Sequence, residues 1–350
     1  MPFGVYVHVP FCARRCDYCA FATWTDRGSL FDAYVQACRR EVVEAELPPA
    51  SSVFFGGGTP SLLPADLLCS ILGVISRRGD AEVTVECNPE SVSAPLLDAY
   101  RAAGVTRLSF GAQSTAPHVL ASLGRSHRPG DLAAAIAAAR AAGFTTFNVD
   151  LIFGAAGESG ADWARTLDDV LALDPPHVSA YALTVEPGTP LARDAARHPD
   201  DDDQAEKYAA ADRVLGSAGL CNYEISNWAR PGHECRHNVL YWRQGDYRGI
   251  GCAAHSHERG RRWWNLRTPE RYIAAIESGC SPVAGTEELA DAERRLEGLQ
   301  LALRTREGVP ASALPIDPAL DRLVERDHER VRLTVAGRLL ANEVSVRLRG

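Results

Sequence analysis

Short β-branched and aromatic runs alternate with Ala- and Leu-rich stretches of helical apolar spacing through the first two-thirds of this 350-residue chain. The strand-like runs fall at 5–9, 52–55, 82–86, 107–110, 145–151 and 178–183, with a short further one at 222–225. Between them, helical spacing covers 30–46, 64–77, 94–103, 131–142, 161–173 and 203–218. Gly104, Gly143 and Gly219 stand where helices end in a left-handed residue. Strand–helix repetition of this kind gives a parallel sheet with helices packed outside it. About six units fit before residue 225, whereas a closed eight-stranded barrel takes about 250 residues. The expected fold is therefore α/β, an incomplete parallel (β/α)6 barrel. In such folds chemistry collects at the C-terminal ends of the strands. The unusual residues here fall there: 12–19, 56–59, Glu86, Gln113 and Asp150.

The rest of the chain reads differently. Residues 187–190 and the acidic run 200–203 look like surface loop and solvated helix start. Residues 226–265 are rich in Trp, Tyr, His, Arg and Gly, with weak periodicity, as expected of a functional loop or cover. Beyond them 290–304 has helical spacing, and 331–335 and 343–348 alternate like strands. The expected organisation is a partial barrel over 1–225, a connecting segment over 226–285 and a small C-terminal α+β domain over 286–350.

A net charge of -8 argues against nucleic acid as a partner, since phosphate binding needs a basic surface. No apolar run is long enough for a membrane span, and the first residues lack the basic start of a signal peptide. The expected location is the cytoplasm, where cysteines are reduced thiols, metal ligands or redox groups. Of the ten cysteines, seven are scattered and three crowd into residues 12–19.

Those three, Cys12, Cys16 and Cys19, form C-x3-C-x2-C. Soft thiolates at this spacing on one loop suit three corners of an iron–sulfur cubane. The lack of a fourth nearby cysteine leaves one iron open to a small chelating molecule, and S-adenosylmethionine (SAM) chelates through its amino and carboxylate groups. Incidental buried cysteines, or a three-cysteine zinc site completed by a histidine such as His8, are the blander readings.

The cysteine motif resembles the signature of radical SAM proteins, and the likeness runs along nearly the whole chain. Residues 56–61, Gly-Gly-Gly-Thr-Pro-Ser, are similar to that superfamily's glycine-rich segment, which implies backbone contact with SAM at Gly57 and Gly58. The segments 6–12, 86–91, 107–114 and 148–154 resemble the oxygen-independent coproporphyrinogen III oxidases and their relatives. That resemblance implies that Tyr6, Tyr18, Gly57, Thr59 and Glu86 line SAM. It places Gln113, Arg125 and Asp150 on a second SAM or on the substrate side.

Two features separate the branches of that family. The oxidases resemble C-x3-C-x2-C-x-C, but here Cys19 is followed by Ala20 and Phe21. Residues 237–242 fit the H-N-x-x-Y-W pattern of the heme chaperone (HemW-like) branch, which implies heme binding at His237, Asn238, Tyr241 and Trp242. Imidazole ligates heme iron, aromatic rings offer it flat faces, and Arg236 and Arg243 suit its propionates. His255, His257 and Cys235 are rival ligands. Residues 154–159, Gly-Ala-Ala-Gly-Glu-Ser, depart from the family's Gly-Leu-Pro-Gly-Gln-Thr, and the chain is shorter around 323–332. The resemblance implies a heme chaperone that delivers heme to apoproteins, respiratory enzymes among them, with a homodimer and peripheral membrane contact allowed. The alternative is a radical SAM oxidase that decarboxylates coproporphyrinogen III.

Overall fold

The computed structural model describes residues 2–349. Six strand–helix units open the chain: β1 (Phe3–Val9) and α1 (Phe31–Glu44), β2 (Ala50–Gly57) and α2 (Ala65–Val74), then β3 (Arg77–Cys87) and α3 (Ala94–Ala103). After β4 (Arg107–Gln113) come α4 (Pro117–Ser122) and α5 (Pro129–Ala141), then β5 (Phe147–Phe153), α6 (Gly160–Ala172), β6 (His177–Ala182) and α7 (Asp201–Ser217). β1 to β6 pair in sequence order, all parallel. The α/β expectation holds in this region, and Gly104 takes the left-handed conformation at the end of α3.

Strand periodicity explains how the sheet makes both a core and a site. Val5, Val7 and Val9, Val53 and Phe55, Val83 and Val85, and Val149 and Leu151 are fully buried in the main core with the helices. The alternate residues, among them Tyr6, Phe54, Glu86, Ser109, Asp150 and Ser179, face the lumen. Apolar residues on one face drive the helices onto the sheet at about 25 cal/mol per Å². Polar residues on the other are left for chemistry.

Residues 221–288 are more ordered than their weak periodicity suggests. They form β7 (Cys221–Glu224), β8 (Asn227–Ala229), α8 (Arg236–Trp242), β9 (Asp246–Ile250), β10 (His255–Glu258), β11 (Arg261–Asn265), α9 (Pro269–Glu277) and β12 (Val283–Glu288). The strand β9 pairs parallel to β1, and β10, β11 and β12 continue outward antiparallel. β8 and β7 add antiparallel strands beyond β6. The order β12-β11-β10-β9-β1-β2-β3-β4-β5-β6-β8-β7 has two free edges, so hydrogen bonds do not close the barrel. The run at 222–225 is thus an edge strand, not a seventh parallel unit.

The last part packs α10 (Asp291–Leu303), β13 (Val309–Pro310), β14 (Val324–Arg326), β15 (Arg330–Leu333), α11 (Val335–Leu339) and α12 (Ala341–Ser345) around a second apolar cluster. The expected strand at 343–348 is helical instead. Val344 and Leu348, four apart, are buried, while Val346 between them is 74% exposed. A helix turn satisfies that pattern and a half-buried strand does not.

Candidate functional site

The cysteine loop leaves β1 at Pro10 and is closed at its base by backbone hydrogen bonds, Trp24 N to Pro10 O at 2.7 Å and Cys12 N to Trp24 O at 3.1 Å. Phe11 anchors it from below, against Phe31 and Tyr34 at ring distances of 4.7 and 5.3 Å. Its far side is tied down at Asp17, whose N–H donates to Leu123 O at 3.2 Å and whose carboxylate accepts from Arg197 Nη2 at 2.8 Å. Cys12, Cys16 and Cys19 are free, half-buried thiols on this fixed loop. Thr59 Oγ1 donates to Cys12 Sγ, and Arg125 Nη1 to Cys16 Sγ, both at 3.6 Å.

Among the described residues no three His, Cys, Asp or Glu side chains are grouped for a single metal ion. His8, the histidine that could complete a three-cysteine zinc site, is engaged elsewhere, with Nε2 2.9 Å from Ala22 O. Burial pushes the Cys12 thiol up to about 11, so a thiolate there needs compensating positive charge close by. An iron cluster on the three cysteines would supply that charge.

All three cysteines open onto a cavity of about 820 Å³ at the C-terminal ends of the strands. Tyr18, Gly57, Gly58, Thr59, Glu86, Gln113, Arg125 and Asp150 share its wall, so the structure brings these sequence-derived candidates together. The glycines are sterically required. A Cβ on Gly58 would lie 2.6 Å from Phe11 O and 2.8 Å from Val9 O, and one on Gly57 would overlap the His8 ring. Gly58 N and Thr59 N donate to those same carbonyls at 2.8 and 2.7 Å, which sets the cysteine loop directly against β2.

Two carboxylates occupy the cavity floor. Glu86 Oε2 accepts from Gly57 N at 3.1 Å, and burial followed by the nearby Asp150 charge pushes its carboxyl up to about 8. Burial also raises Asp150, against the opposing hydrogen bonds of Ser109, Ser179 and Asn148. A cationic ligand would relieve both. Gln113 ends β4 at φ 65, beside a register shift, the kind of strained residue that clusters at functional sites. Arg125 is committed to Asn88 Oδ1 at 2.9 Å and Gly111 O at 2.6 Å as well as to Cys16, so it acts as a brace for the cluster loop.

Asn88, Ser109, Tyr181 and Glu186 also line the cavity and were not singled out from sequence. Ser109 and Tyr181 were reachable through the alternation that makes Glu86 and Asp150 face inward. Tyr6 lies outside this cavity. It points into the lumen below, with its hydroxyl 3.1 Å from His8 Nδ1 and its ring stacked on Phe54.

The four residues of the H-N-x-x-Y-W segment sit at the opposite end. Helix α8 enters the lumen beneath the strand starts, and Glu82 receives the N–H groups of Arg236 and His237, both at 3.1 Å, at the helix N-terminus. His237 is 1% exposed. Its Nδ1 is 2.9 Å from Ser52 Oγ, its Nε2 2.8 Å from Tyr241 Oη, and its ring stacks on Phe54. Burial lowers its pKa to about 3. Asn238 donates to Glu224 Oε1 at 3.2 Å, and Trp242 is half-buried. Arg236 donates to Ser51 O at 2.9 Å, and Arg243 pairs with Glu307. Neither imidazole nitrogen of His237 is free, and both arginines proposed for propionates are already engaged. Cys235 is likewise buried, near Glu82.

Comparison with known proteins agrees with this geometry. The Radical SAM superfamily model matches residues 6–170. Heme chaperone HemW of Mycobacterium tuberculosis is 43% identical, over 98% of this chain and 94% of its own length. Heme chaperone HemW of Bacillus subtilis is 32% identical over 97% of both. The solved radical SAM enzyme coproporphyrinogen III oxidase (HemN) from Escherichia coli superposes with a TM-score of 0.86 at 23% identity, covering 99% of this chain and 89% of that one, which establishes the shared fold. With a three-thiol loop over a glycine-floored cavity and full-length relatives at this identity, the chain belongs to the HemW heme chaperone family within the radical SAM superfamily.

Proposed function

We infer that this chain is a heme chaperone, which binds a [4Fe–4S] cluster and SAM and delivers heme to apoproteins. The carrying observation is the cavity rim. Cys12, Cys16 and Cys19 face the cavity, and the position two after Cys19 is Phe21, 66% exposed at its edge. The related oxidases resemble a pattern with a fourth cysteine at that position, so this rim lacks the thiol that marks them.

Within this reading the three thiolates hold the cluster, and SAM binds its open iron. Bound there, the pair supplies a one-electron route to cleavage of the sulfonium. The chain's own residues set the stage. Gly57 and Gly58 permit close backbone approach, Glu86 and Asp150 supply negative charge for a cationic ligand, and Arg125 fixes Cys16. Tyr18 packs with Val119, Leu123, Ile152 and Leu183 and closes one wall in apolar side chains, which excludes water. Among the described residues no helix is long and apolar enough to cross a membrane.

The competing reading is oxidative decarboxylation of coproporphyrinogen III, favoured by the shared fold alone. One experiment separates the two. The protein is reconstituted anaerobically with iron and sulfide, then incubated with SAM, a low-potential reductant and coproporphyrinogen III. The expected result is no protoporphyrinogen, together with heme uptake in a parallel titration and transfer to an apo-hemoprotein. Turnover to protoporphyrinogen would defeat the chaperone reading, as would failure to take up heme.

A further inference from the structure

We propose that Lys207 is a positioning residue for the cofactor cavity: through Glu158 it locks the loop after β5 that carries the cavity's apolar wall. The proposal rests on the reading above that this cavity takes SAM, and it names what holds one side of it in shape.

Lys207 is the only lysine in the chain, and arginine serves everywhere else. It stands on α7 and is 3% exposed. Its ammonium has three hydrogens and finds three acceptors: Glu158 O at 2.8 Å, Glu158 Oε2 at 3.1 Å and Asp203 Oδ2 at 2.6 Å. Two of the three belong to one residue, so the contact grips the backbone and the side chain of Glu158 together. A compact ammonium serves acceptors gathered around one point, whereas the guanidinium of arginine spreads its donors in a plane. The acidic run at 200–203 thus lends one carboxylate to this lysine.

Glu158 passes the grip to the loop. Its Oε2 also accepts from Gly154 N at 2.7 Å, and its own N–H donates to Ala155 O at 3.0 Å, which closes residues 154–158 into a turn. The side chain is fully buried, and its second oxygen, Oε1, has no hydrogen-bond partner among the described residues. The balance of that buried charge therefore falls on Lys207. The family's pattern has glutamine at this place, which can accept from the Gly154 N–H with no charge to balance. Helix α7 holds the neighbouring strand end as well. Gln204 Nε2 donates to Leu183 O at 2.8 Å, and a Cβ on Gly154 would lie 2.6 Å from Gln204 Cγ.

This frame reaches the cavity. Leu183 N donates to Phe153 O at 2.9 Å, and Ile152 and Leu183 both line the 820 Å³ space. They pack with Ala155 and with Tyr18 in one apolar cluster. The cysteine loop has its own anchors at Pro10, Trp24 and Asp17. Loosening the lock should therefore cost SAM affinity and spare the cluster.

A single lysine makes the lock directly readable, by amine acylation and mass spectrometry of the anaerobically reconstituted full chain. SAM should slow acylation of Lys207 by about tenfold or more, through the loop they share. The rate should be nearly independent of low urea, the mark of a local opening. Denatured protein should react equally with and without SAM. Lys207→Met should weaken SAM binding about tenfold with iron content unchanged. Adding Glu158→Gln to it removes the unbalanced charge and should return SAM affinity to within about twofold of the parent, which a packing defect at 207 would not allow. Should Lys207→Met fail to fold, the acylation of the parent and the double variant still decide. A Lys207 rate that SAM leaves unchanged, or that follows global unfolding, overturns the proposal. So does a folded Lys207→Met that binds SAM like the parent, or a double variant with tenfold weakened SAM binding. If the parent binds no SAM at all, the cofactor reading fails and this proposal with it.

Discussion

At the C-terminal ends of β1–β6 the chain leaves a cavity of about 820 Å³ walled by thiols, glycines and carboxylates. At the N-terminal ends of the same strands it inserts helix α8, and the lumen shrinks to a void of about 150 Å³. The side chains at the two ends are treated differently as well. Glu86 and Asp150 at the open end are held above their usual range by burial, waiting on a positive partner. His237, Asn238 and Glu82 at the closed end already have protein partners. The contrast is between an open cavity and a plugged lumen. The buried carboxylates at one end lack a counter-charge, whereas His237 and Asn238 on the helix that plugs the other end have protein partners.

The comparison predicts that substitutions at the open end remove ligands and spare the fold, and that those at the closed end do the reverse. The largest effect is expected at Cys16→Ser. Iron content after anaerobic reconstitution should fall to background, because two thiolates cannot hold the cubane, while the melting curve of the iron-free protein stays where the parent's is. Retention of a full iron complement would refute the ligand assignment. Next comes His237→Ala, which leaves Ser52 Oγ and Tyr241 Oη unpaired in a buried site and opens a cavity beside Phe54. A loss of about 3–4 kcal/mol is expected in denaturant unfolding, with cluster content unchanged in the fraction that folds. A folded variant of unaltered stability would show that α8 is not a structural plug.

The open end was the more legible of the two, for a physical reason. Strict alternation in β1–β6 marks which residues face the helices, so strand ends and lumen-facing positions follow from local sequence alone. Glu86, Asp150 and the cysteine loop fall into place that way. Tyr6, whose role came from the resemblance, sits a layer below the cavity wall, where alternation places it. The plug was illegible because its partners are remote. Ser52 and Glu82 lie 185 and 155 residues from His237, and no local pattern encodes such a pairing. Strands β8–β12 escaped notice because they are three to six residues long, and β12 is exposed along both faces. A strand without a buried face shows no period.

A smaller effect, which ties the two halves of the open end together, is expected at Gly58→Ala. The new methyl meets two backbone carbonyls, Phe11 O and Val9 O, and neither can rotate away. The cost is about 1–3 kcal/mol, and it falls on the contact that seats the cysteine loop. Melting temperature and cluster content should therefore drop together, unlike in either earlier variant. A stability loss with the cluster fully retained would mean the loop is positioned by the Asp17 contacts instead.

The last difference between the ends is one of sign in the pH dependence of stability. Glu86 has its carboxyl raised from 4.5 to about 8, so between those values the folded chain keeps a proton that the unfolded chain has released. Its stabilising contribution is complete below pH 4.5 and is lost as pH rises through 8. His237 is lowered from 6.5 to about 3, so its contribution is complete above pH 6.5 and is lost as pH falls toward 3. Glu86→Gln should therefore stabilise the cofactor-free protein at pH 8, by roughly 4 kcal/mol, and change little at pH 5, as read from paired denaturant melts. Equal effects at both pH values would mean that the Glu86 charge is not what burial penalises there. At the proposed SAM site the ligand's sulfonium would lie near this carboxylate, so in the protein loaded with cluster and SAM the pH 8 advantage of the glutamine should shrink or reverse. No such ligand dependence is expected of His237 at the closed end.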